Sequence, residues 1–255
     1  MDMTTHNHKD LVVAQFGPQA AAYVTSQVHA HGEDLQQLAA FVAGNPAARA
    51  LDMGCGGGHV SFNLAPHMAE VVAYDMSVDM LAAVAQAASE RGIRNIVTRQ
   101  GVAEQLPFPD ASFDFVISRY SAHHWHDVAA GLAEARRVLK TGGRAAFADV
   151  VAPLNPMVDT HLQSIELLRD TSHVRDYSPD EWRQKLIDAG FVPGQVTMRR
   201  LHIDFASWIA RMRTPDLYVL AIRALQAGAP HEVADYLEFE PDGSFTMDSM
   251  VIEAG

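Results

Sequence analysis

Two strand-end carboxylates, a run of glycines and a pair of histidines carry the chemistry open to this 255-residue chain. Asp52 closes the apolar run Ala50-Leu51 and opens the turn Gly54-Cys55-Gly56-Gly57-Gly58. Such a turn strips away side chains so that backbone N–H groups can approach a ligand, and a helix N-terminus behind it favours negative charge. Asp75 closes a second apolar run, 21 residues after Gly54. A carboxylate there can accept both hydroxyls of a ribose. His123 and His124 lie within Ser118-Arg119-Tyr120-Ser121-Ala122-His123-His124-Trp125-His126. Imidazoles titrate near neutrality, so either can serve as a general base.

Glycine spacing narrows the ligand. A dinucleotide site wants G-x-G-x-x-G, its third glycine permitting close helix–strand packing beside a pyrophosphate. Here the pattern from Gly54 is G-x-G-x-G, and His59 occupies the third glycine's place. The G-x-x-x-x-G-K-[ST] phosphate loop is absent as well. A ribose with an anionic tail and no pyrophosphate signature suggests S-adenosylmethionine (SAM), its amino-acid carboxylate on the turn. A non-catalytic SAM-binding protein and a NAD-type oxidoreductase are the alternatives.

Further motifs extend this reading. Leu51 to Gly58 spells L-D-x-G-C-G-x-G, Val71 to Leu81 spells V-x-x-x-D-x-S-x-x-M-L, and Ala103 to Phe108 spells A-E-x-L-P-F. With Ser112-Phe113-Asp114 and Leu139-Lys140-Thr141-Gly142-Gly143, they resemble the class I SAM-dependent methyltransferases. The nearest branch is that of the ubiquinone and menaquinone biosynthesis enzymes. The resemblance implies methyl transfer to a small or medium-sized acceptor by in-line displacement. It places Asp52 at the cofactor's amino group, with Gly54, Cys55, Gly56 and Gly58 shaping the turn around it, and Asp75 at the ribose. Met76 would wall the adenine, and Val102, Ala103 and Glu104 would lie along its edge. The family often has Asp or Asn where Val102 stands, so backbone groups or Glu104 must substitute. The loop from Ser118 would face the methyl group. Phe16 to Tyr23 resembles the F-x-x-x-A-x-x-Y lead-in of the same branch, which puts Tyr23 beside the cofactor or in helix packing. Cys55 is read as a small residue suited to a tight turn rather than as a nucleophile. His123-His124-x-His126 and His29-x-His31 lack a carboxylate cluster, so no metal site is expected.

These residues need a scaffold that brings strand ends together. From 48 to 150 strands alternate with helices, the pattern of a parallel sheet wrapped on both faces. Strands are expected at 48–53, 70–75, 95–99, 113–118 and 144–150, with further candidates at 195–204 and 249–253. Ser77 is the expected N-cap of a helix whose apolar face is Met80, Leu81, Val84 and Ala88. Another helix is expected from Asp127 to Lys140, and Ser178-Pro179-Asp180-Glu181 reads as a capping box. The fold class is therefore α/β: a Rossmann-like, mostly parallel seven-stranded sheet, its last strand antiparallel as the resemblance implies. Residues 1–45 are expected to form a helical lid, 46–152 the SAM-binding core and 153–255 the rest of the fold with acceptor-side helices, one domain overall. Polar clusters at Asp170 to Arg175 and Arg211 to Arg213 read as solvated surface, with recognition of an acceptor's acidic group as the alternative.

Composition excludes some functions. With 19 Lys and Arg against 31 acids, the net charge of −12 disfavours nucleic acid as a partner, which needs a basic surface. No apolar run reaches transmembrane length, and the first residues lack a signal peptide's basic and apolar regions. The lone cysteine forms no internal disulfide. A cytoplasmic enzyme with a small-molecule acceptor is the expectation; oligomeric state is left open.

Overall fold

Strand β1 (Arg49–Met53) is buried from Ala50 onward, and that places it at the centre of the molecule. The computed structural model describes residues 7–20, 24 and 32–255. Helices α1 (His8–Phe16) and α2 (Glu33–Val42) precede the strand. After it come α3 (His59–Leu64), β2 (Glu70–Asp75), α4 (Val78–Glu90), β3 (Ile96–Gln100), β4 (Phe113–Arg119), α5 (Val128–Val138) and β5 (Leu139–Val151). The chain then forms α6 (Pro156–Arg169), α7 (Pro179–Asp188), β6 (Pro193–Ile203), α8 (Phe205–Met212), α9 (Asp216–Ala227), α10 (His231–Leu237) and β7 (Phe245–Ala254).

The seven strands make one sheet in the order β3-β2-β1-β4-β5-β7-β6. Pairs β1–β2, β1–β4, β2–β3 and β4–β5 are parallel, whereas β7 runs antiparallel to both neighbours. The chain leaves β1 toward β2 and later returns on its other side as β4. That reversal opens a crevice at the carboxyl ends of β1 and β4, where open α/β sheets bind ligands. Apolar residues cover both faces. Leu35, Leu38 and Val42 of α2 pack with Val60 and Leu64 of α3 on one side. Trp125, Leu132 and Val138 pack with Trp182 and Leu186 of α7 on the other.

Local signals placed most elements. Ser77 caps α4 by accepting from the Met80 N–H, and the capping box at Ser178 and Glu181 is complete. Two boundaries moved. β5 starts at Leu139, five residues before the expected 144. Leu139 pairs with Phe113 ahead of the Lys140–Gly143 turn, and the register shift to Phe115–Arg144 absorbs that turn as a bulge. β7 starts at Phe245 rather than Ser249 because β6 runs long enough to pair Ile203 with Phe245. That extension supports a second apolar cluster in which Phe245 and Met247 meet Phe205, Trp208 and Ile222.

Candidate functional site

The glycine turn is built from the two central strands. The N–H groups of Gly54 and Cys55 both donate to the Tyr74 carbonyl, at 2.8 and 2.9 Å, tying the end of β1 to the end of β2. Gly56 has φ 46°, and a Cβ placed on it meets nothing within 4 Å, since its backbone faces an open cavity. Gly58 differs. It caps α3 with φ 77°, does not line the cavity, and an added Cβ would stand 2.9 Å from Val84. Its glycine serves the turn and packing against α4 rather than close approach to the cavity.

Asp52 is 1% exposed. Its Oδ2 accepts from the Ser61 N–H at 2.9 Å and the Ser61 hydroxyl at 2.6 Å, while Oδ1 is buried with no hydrogen-bond partner. Burial pushes this carboxyl up to about 7, despite the bonds from Ser61. Asp75 accepts from the Gly56 N–H through Oδ2 and from the Ser77 N–H through Oδ1, each at 2.9 Å. It thus clamps the glycine turn as well as facing the cavity, a structural duty invisible in the apolar run before it. Burial raises its carboxyl, and the backbone N–H groups oppose that.

Those two carboxylates line a cavity enclosing about 1140 Å³, its open mouth included. Gly54, Cys55, Gly56, Met76, Val102, Ala103 and Glu104 also line it. The Tyr74 hydroxyl donates to the Val102 carbonyl at 3.0 Å and so fixes the segment from Val102 to Glu104. One Glu104 carboxylate oxygen accepts from the Asp127 N–H at 3.2 Å, at the start of α5. Burial pushes the Cys55 thiol well above its ordinary value, with the charges of Asp75 and Asp52 adding to the effect, so a reactive thiolate is disfavoured.

At the end of β4 the adjacent histidines part company. His124 lines the cavity and His123 does not. A short 3₁₀ turn, Ala122–His124, sends the His123 ring inward, where Nδ1 meets Asp149 Oδ1 at 2.6 Å. Burial lowers the His123 pKa, but the Asp149 carboxylate outweighs it and holds the ring up at about 9. An imidazolium already carrying its protons is no base. His124 is pushed down to about 4, by burial and then by the His123 cation. Ser118 also stays out of the cavity, 2% exposed and paired with Phe147 of β5. Tyr23 lies outside the described residues.

Other wall residues were anticipated only as part of the loop from Ser118 or of the Phe16 lead-in, not singly, and His8, Lys9 and Val12 not at all. Arg119 stands 2.5 Å from Asp34 and brings positive charge to the end of the cavity near Asp52. Tyr120 lines the cavity with φ 49°, a left-handed conformation costly for a bulky residue and typical of functional sites. Ser121, Trp125 and His126 complete that loop. His8, Val12 and Phe16 cover the cavity from α1, joined by Lys9. The spacing of His8, Val12 and Phe16 on one helical face was the available signal. Asp170 to Arg175 is not solvated throughout: Asp170 is 1%, Ser172 0% and His173 7% exposed, buried behind the histidine loop, while Thr171 and Val174 are exposed. Among the described residues no His, Cys, Asp and Glu group has metal-ligand geometry.

A family model described as a methyltransferase domain matches residues 51–147. The chain is 50% identical over 197 residues to the uncharacterised Escherichia coli protein YafE, covering 77% of this chain and 95% of that one. It is 36% identical over 200 residues to the uncharacterised Bacillus subtilis methyltransferase YcgJ, covering 78% of this chain and 79% of YcgJ. The YcgJ crystal structure matches with a TM-score of 0.84, over 88% of this chain and 98% of that one. This chain belongs to the class I SAM-dependent methyltransferases. Within that family, a demethylmenaquinone methyltransferase of Chlorobaculum parvum is 34% identical over 118 residues, 46% of this chain and 47% of the relative.

The methyltransferase cofactor fits the cavity on two observations. Asp52 Oδ1 is a buried acceptor lacking a donor, and a cationic amino group is the donor it lacks. The open backbone face of Gly56 leaves room for a ligand to approach the turn.

Proposed function

We propose that this methyltransferase transfers a methyl group to a small or medium-sized acceptor in one in-line displacement at the cavity between α1 and the carboxyl ends of β1, β2 and β4. The observation that carries the reading is the meeting of Asp52 Oδ1, the turn at Gly56, Asp75 and His124 around one cavity. Bound SAM supplies a methyl group on a sulfonium, which leaves as a neutral thioether. The protein's part is to align the acceptor with that methyl group and to keep water out.

Asp52 receives the amino group of the cofactor's methionine end, and Arg119 adds positive charge for its carboxylate. Asp75 keeps lone pairs for the ribose hydroxyls beyond those used by Gly56 and Ser77. Met76, Val102 and Ala103 form the adenine walls, with Glu104 at their edge. The acceptor end is bounded by Phe16, Tyr120, His124, Trp125 and His126, an aromatic surface suited to a flat or apolar molecule.

Incubating the protein with methyl-labelled SAM and a small-molecule extract tests this reading by mass spectrometry. Label recovered on a small molecule, with S-adenosylhomocysteine formed in equal amount, is the expected result. Binding of cofactor that always returns intact would make the protein a SAM-binding module and sink the proposal.

A further inference from the structure

Behind the cavity the chain buries an unusual set of titratable groups: His123 and Asp149, Glu166 at the end of α6, and Asp170, His173 and Asp176 on the segment that follows. Their arrangement decides which nitrogen of His124 can do chemistry. His124 Nδ1 lies 3.2 Å from the Ser172 carbonyl, an acceptor. It lies 3.4 Å from the Ser172 hydroxyl, whose own hydrogen goes to Asp170 Oδ1 at 2.6 Å. With acceptors on that side, Nδ1 carries the hydrogen. A neutral ring therefore holds its lone pair on Nε2.

Near Nε2, but beyond hydrogen-bond reach at 3.8 Å, stands Asp170 Oδ2, on a side chain 1% exposed, with no hydrogen-bond partner of its own. An orphaned buried carboxylate oxygen this close to a ring nitrogen gains nothing while the ring is neutral. It becomes an ion-pair partner once Nε2 is protonated. Asp170 Oδ1 meanwhile holds both the N–H and the hydroxyl of Ser172, at 2.9 and 2.6 Å, and so fixes the carbonyl that sets the His124 tautomer.

We propose that His124 and Asp170 form a proton-accepting dyad, with His124 Nε2 as the base and Asp170 as its positioning residue and counter-charge. The acceptor is then an O–H or C–H acid, such as a phenol, an enol or an activated carbon, that must lose a proton as it is methylated. This rests on the methyl-transfer reading above. The acceptor's O–H or C–H bond breaks and its proton moves to Nε2. The electron pair left behind forms the bond to the methyl carbon, and the carbon–sulfur pair stays on sulfur. Positive charge lost from sulfur thus reappears on His124, beside Asp170, before the proton passes to solvent.

The surroundings suit that sequence. His124 is faced by His123, with ring centroids 4.2 Å apart, by Asp149 behind His123, by Asp170 and Ser172, and by the Phe16 ring of α1 at 5.1 Å. His8 of α1 shares the Ser172 carbonyl at 2.9 Å, and His173 packs beyond His123 at 5.8 Å. Burial and the His123 cation keep His124 unprotonated at neutral pH, while Asp170 pulls the other way.

Long-range ¹H–¹⁵N spectra of histidine-labelled protein test the dyad without a known acceptor. In the S-adenosylhomocysteine complex at pH 7, His124 should show hydrogen on Nδ1 and a bare Nε2. Its proton affinity should be at least threefold lower with sinefungin, which places an amine cation where the methyl group sits. In Asp170→Asn it should fall at least tenfold, leaving His124 neutral at pH 4. Hydrogen on Nε2 at pH 7, or a midpoint indifferent to both changes, would overturn the dyad; the first two readouts need no variant. Failure of S-adenosylhomocysteine to bind would instead overturn the methyl-transfer reading beneath it.

Discussion

Asp52 and Asp75 end neighbouring strands, yet hydrogen bonding gives them different work. Asp75 has both oxygens occupied by backbone N–H groups, whereas Asp52 keeps one oxygen empty. Asp75→Ala is expected to weaken S-adenosylhomocysteine binding by roughly 1–3 kcal/mol while loosening the turn, measured by calorimetry with circular dichroism as the fold control. Unchanged affinity would remove Asp75 from the site. Asp52 supplies a pH test. Its carboxyl is raised to about 7 in the free protein and must be ionised to hold an amino group. Affinity for S-adenosylhomocysteine should therefore fall as pH drops below 7, approaching about tenfold per pH unit, because binding must expel a proton. In Asp52→Asn, binding should be weaker and flat over the same range. An equally steep profile in the variant would assign the proton to another group. These two carboxylates and Gly56 were legible in the sequence because motif, strand end and turn lie within a few residues. His123 and His124 were legible only as a pair. Which of them faces the cavity depends on one 3₁₀ turn and on Asp149, 26 residues further along the chain.

Helix α1 shows what an element contributes when its own amphipathicity is weak. Only Val12 in it is buried, so its position depends on outside contacts rather than on a core of its own. The His8 ring bonds the Ser172 carbonyl, the Gln15 amide donates to the Met212 carbonyl at 3.0 Å, and Phe16 sets its edge on His124. Of these anchors, His124 lines the cavity and Ser172 lies directly behind it. Such a segment opens at lower free energy than the sheet. Hydrogen exchange across residues 8–16 should slow markedly when S-adenosylhomocysteine is added, more than across β1 or β4. Exchange already slow without ligand would make α1 a fixed wall. The sequence suggested a helical cover from an aromatic lead-in pattern. It could not supply the docking contacts, since each joins residues more than 100 positions apart. The strand limits at Leu139 and Phe245 were hidden for a related reason: both are decided by the pairing partner.

At the scale of the molecule, the strand positions and the mostly parallel sheet were readable from alternation and motif order, but the buried charge was not. Asp170, His173 and Asp176 look like a polar loop in the sequence. They are buried because Gln163 of α6 and the histidine loop after β4 pack against them, and no local pattern records such a meeting. Burying that many titratable groups ties stability to pH, and the Asp149 partner makes the His123 share separable. The His123 folded-state pKa of about 9 lies above the ordinary 6.5, so its pairing with Asp149 contributes fully below 6.5 and is lost as pH rises through 9. His124, lowered to about 4, behaves oppositely: its contribution is complete above 6.5 and lost on acidification. Asp52 titrates below this range, from 3.8 to about 7, and the Cys55 thiol above it, since its ordinary value is 9.0. Between pH 7 and 9 His123 should contribute to the decline, about 3 kcal/mol across the full interval from 6.5 to 9, alongside Asp176, whose carboxyl burial also holds well above its ordinary value. Urea unfolding at pH 7, 8 and 9 measures it. Asp149→Asn removes the carboxylate that raises His123, so the variant should be less stable at pH 7 and should decline less steeply than the wild type between pH 7 and 9. Parallel declines in the two proteins would show that another group carries the alkaline loss and that the His123–Asp149 pair is not an ion pair in the folded state.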